Sequence, residues 1–281
     1  MTFISSSVAQ TVFNIVNFGT DTGEAIIALC AALIAIVLWS LFTWKFGIPS
    51  SQSHALLAGI SGAAIALRGN FSGISFNEWK KVLYGLIIVN LLAFIVGFLT
   101  TKLIEKVCKN IDRRRTNKFF KGTQIIGAAS MSFMHGAQDG QKFMGVFLLG
   151  VALSKNILNI TSFSIPIWLM IYCSLLMTIG SAVGGIKIIK TVGTKVSKLE
   201  KYQGTAADLS SAICLFASSS LGIPASTTHS KTCAIMGVGA SKRLSSVNWG
   251  VVKNMIMAWI FTFPGCGLLG YFGAMLFTKI F

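Results

Sequence analysis

Two groups of residues in this chain have the types and spacings that do chemistry. The first is Phe133-Met134-His135-Gly136-Ala137-Gln138-Asp139-Gly140-Gln141-Lys142, a polar, glycine-flanked island inside a long apolar run. A charge at membrane depth costs a few kcal/mol even on the gentler scales, so an acid kept there reads as functional. His135 and Asp139 are four apart and share a face if the helix runs through. The island also predicts a broken helix, two half-helices meeting at a polar gap, which is how transporters expose helix ends to an ion or substrate. The second group occurs twice. Phe46-Gly47-Ile48-Pro49-Ser50-Ser51-Gln52-Ser53-His54 matches Leu221-Gly222-Ile223-Pro224-Ala225-Ser226-Thr227-Thr228-His229 at an offset of 175. Gly-x-Pro breaks the preceding helix and Pro can open the next, leaving free N–H groups at a helix N-terminus. Such an end attracts anions. The hydroxyls of Ser50, Ser51, Ser53, Ser226, Thr227 and Thr228 suit an oxyanion or a small cation; the plainer alternative is N-capping. His54 and His229 are either proton-linked or hydrogen-bonded packing residues. In Gln203-Gly204-Thr205-Ala206-Ala207-Asp208, the acid either joins Gln203 in a polar lining or sits in a first turn for the helix dipole.

The elements that must position these groups follow from composition. The chain has 281 residues, 53% of them hydrophobic and 11% charged, with a mean hydropathy of +0.73. A soluble domain carries about 25% charged residues, so a soluble enzyme and a disordered chain are both excluded. The apolar runs are continuous, unlike the roughly ten-residue alternating strands of a β-barrel. An all-α polytopic membrane protein of the cell membrane remains, with 28 Gly suited to close helix packing. A window of about 19 residues marks apolar segments at 25–44, 47–67, 82–101, 123–153 (interrupted), 166–185, 203–221, 222–241 and 250–278.

The net charge of +16 is concentrated in short connections. Lys102 to Lys121 reads as a basic cytoplasmic loop, and 186–202, with five lysines, falls on the same side. Three units follow: an N-terminal repeat 1–101, a basic loop 102–122 and a C-terminal repeat 123–281. If 47–67 and 222–241 each cross the membrane, the repeats are inverted and Lys45, Lys242 and Arg243 lie inside. If both are re-entrant hairpins using one face, the repeats are parallel. The first version is the expectation here. The repeat is further expected to pair Trp79 with Trp249. Six scattered cysteines without CxxC spacing predict neither a metal nor a disulfide. No nucleotide motif, leader peptide or cofactor signature is present, so no enzyme and no nucleic-acid partner is expected.

At these motifs the chain resembles the inorganic phosphate transporter (PiT) family. The resemblance rests on the two Gly-Ile-Pro elements, on His135 to Lys142 with Met144-Gly145, on Gln203-Gly204 with Asp208, and on Met236-Gly237-Val238-Gly239-Ala240. It implies secondary transport of inorganic phosphate, in bacteria often as a metal–phosphate complex, coupled to H⁺ or Na⁺ by an often dimeric, inverted-repeat protein. Carried over by position, it implies Gln138, Asp139, Ser50, Ser51, Ser226, Thr227 and Thr228 as substrate or ion contacts. His54, His135, His229, Gln203 and Asp208 are further candidates. Asp139 would repel phosphate unless a cation or the substrate's proton lay between them, so it is assigned to coupling, with Na⁺ beside it as one form. Gln138 stands where the family has Asn, and Asp208 where it has Glu. The family's first acidic motif has no counterpart, since an offset of 175 from Asp139 falls before Met1. A sulfate permease and a truncated, non-transporting remnant are the alternatives.

Overall fold

The structure, a computed structural model, describes residues 5–48, 50–157, 164–184, 192–193 and 196–281. Its elements in chain order are α1 Ser7–Phe13, α2 Thr22–Phe46, α3 Gln52–Arg68, α4 Phe76–Tyr84, α5 Asn90–Cys108, α6 Arg113–Ser154, α7 Ile167–Gly184, α8 Lys201–Ser220, α9 Thr227–Lys242 and α10 Trp249–Ile280. A π-turn over Gly85–Val89 joins α4 to α5 as one rod. Among the described residues, three helices are long and apolar enough to cross a membrane by themselves, Thr22–Phe46, Phe76–Cys108 and Trp249–Ile280, with Ile167–Val183 a shorter apolar one. The apolar windows therefore located helices throughout. All six cysteines are free.

The repeated nonapeptide is a helix stop followed by a helix start. Gly47 and Gly222 adopt left-handed φ of 65° and 67°, a conformation glycine takes without a Cβ penalty, and there they end α2 and α8. Ser51 and Ser226 then cap α3 and α9, their hydroxyls accepting from the N–H of His54 (3.2 Å) and His229 (3.3 Å). Both serines thus make the capping bond that is the plainer of the two readings. The helix opens after the cap and not at Pro224; Pro49 lies outside the described residues.

Two expectations about α6 and its approach are corrected. The polar island does not break the helix: Arg113–Ser154 is continuous, 42 residues long. Its glycines cost helix propensity of about 1 kcal/mol each, but Gln138, Asp139, Gln141 and Lys142 between and beside them are buried against other elements, which holds the rod intact. Nor is Lys102–Lys121 mainly loop. Only 109–112 is non-helical, with Asp112 capping α6 through the Arg114 N–H at 2.7 Å. Lys187, Lys190 and Lys195 of the second basic stretch lie outside the described residues.

The expectation that 47–67 and 222–241 each cross the membrane is also corrected. At 17 and 16 residues, α3 and α9 are about 25 Å long, short of a roughly 30 Å hydrocarbon core. Each returns beside its predecessor. The feet of the α8–α9 hairpin meet where Lys242 donates to Glu200 at 2.7 Å, and Arg113 at the start of α6 approaches the same carboxylate at 3.6 Å. That hydrogen bond holds the Glu200 carboxyl below the usual carboxylate range. The feet of the α2–α3 hairpin lie at the other end of α6. There Thr22 hydrogen-bonds Asn156, and the Asn17 N–H donates to the Gly73 carbonyl at 2.8 Å beside the end of α3. The hairpins therefore enter from opposite ends of the molecule, and their tips meet about two-thirds of the way along α6, at Asp139 and Lys142.

Each returning helix lies backbone to backbone on a long helix, α3 on α10 and α9 on α5. A Cβ on Gly62 would fall 2.0 Å from the Gly267 carbonyl oxygen; one on Gly237 would fall 2.0 Å from that of Phe94. Small residues permit such approach in lipid, where packing rather than hydrophobicity drives association. The 3₁₀ turns at 71 and 244 and the helices at 76 and 249 start 173 positions apart, so Trp79 and Trp249 are not structural counterparts. Gly237→Ala is expected to cost about 1–3 kcal/mol, seen as a lower melting temperature of the detergent-solubilised protein. Gly122→Ala, which meets nothing within 4 Å, serves as the silent control.

Candidate functional site

Where the two hairpin tips reach α6, the structure assembles a buried polar junction around a residue that sequence reading passed over. Lys142 is 1% exposed and its ammonium has three acceptors: Asp139 Oδ1 at 2.8 Å, Ser53 Oγ at 2.6 Å and the Ala225 carbonyl at 2.5 Å. An ammonium has three protons, so its donor capacity is filled. The acceptors come from three elements: α6 itself, the first residues of α3, and the turn before α9. Asp139, 8% exposed, also accepts from Ser53 Oγ at 3.3 Å and from Thr227 Oγ1 at 3.1 Å. With the Thr227 hydroxyl proton given to Asp139, His135 Nδ1, 2.9 Å from Thr227 Oγ1, is the donor to it. The expected pairing of His135 and Asp139 on one face is present at 3.4 Å.

Several predicted residues sit at this junction in other roles. Gln138 is fully buried and its amide donates to Ser218 Oγ (2.9 Å) and the Ile223 carbonyl (3.3 Å), tying α6 to the second hairpin. Gln141 accepts from the Val8 N–H at 3.2 Å, holding α1. His54 and His229 face each other at 4.7 Å between ring centroids, stacked on Phe263 and Trp259 respectively. Among the described residues neither ring has a hydrogen-bond partner, nor has Gln138 Oε1. Of the two readings offered for these histidines, proton-linked or hydrogen-bonded packing, the structure shows the packing, without a hydrogen bond from either ring to a described residue.

Other candidates are not brought to Asp139. Ser50 donates to Thr43 Oγ1 at 3.0 Å inside the first hairpin tip. Thr228 is half-buried, one position beyond Thr227 on α9. Gln203 accepts from the Glu200 N–H at 3.0 Å in a capping box that starts α8. Asp208 lies beyond the first turn of α8 and forms an ion pair with Lys231 of α9, so neither the polar-lining nor the dipole reading describes it. Ser53 was among the hydroxyls that the repeat singled out, and Lys142 was legible in principle. Lys142 is three residues after Asp139, a spacing that places both on one helix face. Among the described residues no group of three or more His, Cys, Asp or Glu could hold a metal ion.

Comparison with known proteins agrees with this architecture. Residues 1–270 match the PHO4 phosphate transporter family. A probable low-affinity inorganic phosphate transporter of Bacillus subtilis is 38% identical over 91% of this chain and 76% of its own length. A relative of the same description from Rhizobium meliloti is 36% identical over 97% of this chain and 81% of its own. The solved structure of a sodium-dependent phosphate transporter superposes with a TM-score of 0.87 at 22% identity, covering 98% of this chain and 86% of that one. Its fold is shared. A helical, multi-pass chain with the sequence of its relatives across nearly all of its length, this protein belongs to the PHO4 phosphate transporter family of the cell membrane.

Proposed function

We propose that this chain moves inorganic phosphate across the membrane by secondary transport, driven by an H⁺ or Na⁺ gradient, with the Asp139–Lys142 junction as its transport site. The observation that carries the reading is the junction's position. A buried charge pair is held between the N-termini of two helices whose hairpins enter from opposite ends. Withdrawal of one tip opens the pair toward one side only, which is the geometry that alternating access requires. The positive ends of α3 and α9, aimed at this point, suit an anion. The names of the relatives and the sodium dependence of the structural neighbour support phosphate as cargo and a cation gradient as its driving force. The two hairpins, each capped by a serine of the repeated nonapeptide, support a pair of related inverted halves around the basic connection.

Phosphate is favoured over sulfate by Asp139. At neutral pH phosphate still carries a proton to donate to a carboxylate, whereas sulfate has none. A buried charge pair is also easily replaced by apolar residues without loss of stability, so its presence speaks for transport rather than for a silent remnant. The test is labelled phosphate uptake by the full chain in liposomes, with a Na⁺ or a proton gradient imposed alone. Saturable uptake driven by one of them, and unaffected by equimolar sulfate, is expected. Equal competition by sulfate, or uptake indifferent to both gradients, overturns the reading.

A further inference from the structure

The junction holds oxygen donors of three kinds around one point: a carboxylate oxygen of Asp139, the hydroxyl of Ser53 and the carbonyl of Ala225. This is the ligand set a hard cation takes from protein. The point they surround is filled by the Lys142 nitrogen. The three ammonium protons are also distributed with a pattern. One goes to Asp139 on the lysine's own helix, one to the first hairpin and one to the second. Withdrawal of the first tip removes Ser53 and frees one N–H toward that hairpin's side. Withdrawal of the second removes Ala225 and frees a different N–H toward the other side. In both states the proton on Asp139 stays in place, and the charge that would repel an oxyanion remains paired.

We propose that Lys142 is the resident cation of the transport site: its ammonium stands where a free Na⁺ would otherwise be held by Asp139, Ser53 and Ala225, and it offers phosphate one N–H to each side in turn. This rests on the transport reading above and refines it, since a driving Na⁺, if the chain uses one, then binds elsewhere than in this cage.

The experiment compares melting temperatures of the purified full chain in NaCl and in choline chloride at equal ionic strength, with retention of ²²Na⁺ measured in parallel. No phosphate uptake is needed, so a failure of this inference and a failure of the transport reading show up in different assays. The wild type is expected to respond to the change of salt no differently from Ser53→Ala, since any Na⁺ it binds lies outside the cage. Lys142→Ala opens the cage and is expected to gain about 3 °C in NaCl at a Na⁺ concentration well above its dissociation constant. Stabilisation of the wild type by Na⁺ that is lost in Ser53→Ala, or a folded Lys142→Ala that gains no more from Na⁺ than the wild type does, overturns the proposal. Where Lys142→Ala does not fold, wild-type retention decides. Saturable ²²Na⁺ retention lost in Ser53→Ala overturns the proposal; no saturable retention, or retention untouched by Ser53→Ala, supports it.

Discussion

Lys142→Met is expected to lower the stability of the folded protein by about 3–4 kcal/mol, because it leaves a buried carboxylate without its partner. The loss is bounded by the cost of neutralising that acid, which at pH 7 and an ordinary carboxyl pKa near 3.9 is about 4 kcal/mol. The variant's defect should therefore shrink as the pH falls, since a folded state that holds a proton the unfolded chain releases gains stability in acid. Thermal melts of the detergent-solubilised protein at several pH values read this directly. The double variant Lys142→Met/Asp139→Asn is expected to regain most of the stability while remaining unable to transport. Additive losses in that cycle would show that the two side chains do not interact.

Asp139→Asn is expected to remove the dependence of phosphate uptake on the ion gradient, with uptake falling at least about 100-fold, the scale on which displaced positioning groups act. Its stability defect should have the opposite pH dependence. The lysine left behind is relieved by losing a proton, so this variant is expected to recover as the pH rises. Opposite pH slopes for the two single variants are a signature that a merely packed polar pair would not give. Uptake that kept its full gradient dependence in Asp139→Asn would return the residue to a structural role.

Much of this architecture is visible in the amino-acid sequence, and the misses have a common cause. Hydropathy windows located the helices because long apolar runs in lipid can only be helices or barrel strands. The same windows could not distinguish a short crossing from half of a re-entrant hairpin, since both are apolar for about sixteen residues. The feet of the hairpins, Lys242 with Glu200 and Thr22 with Asn156, are distant in sequence and reveal themselves only in three dimensions. Gly136 and Gly140 suggested a break because propensity counts against them. Tertiary contacts of Gln138, Asp139, Gln141 and Lys142 outweigh that local preference.

At the site, the spacing of His135 and Asp139 implied a shared face, and the structure brings Thr227 to both, with Gln138 beside Asp139 on the same helix. Ser51 and Ser226 turned out to cap helices, a role that short hydroxyl residues before a helix always compete for. The reading of Asp139 looked for a mobile cation because a buried acid needs one. The fixed cation was already in the motif, three residues on, but a lysine in the polar island of an apolar helix is easily taken for a snorkelling side chain. Its 1% exposure shows otherwise.

The most direct test of the central claim asks whether phosphate occupies the place where the hairpin tips meet. In a background with the six native cysteines replaced, Ser53→Cys and Thr227→Cys each carry a thiol on one of the two hairpins beside Asp139. Alkylation by a small thiol reagent would be followed in membranes with and without phosphate, with Glu200→Cys at a hairpin foot as the reference. The account predicts that phosphate slows alkylation at both tip positions, that equimolar sulfate does not, and that the foot is unaffected. Alkylation at both tips at the same rate with and without phosphate, in protein that still takes up phosphate, would contradict it.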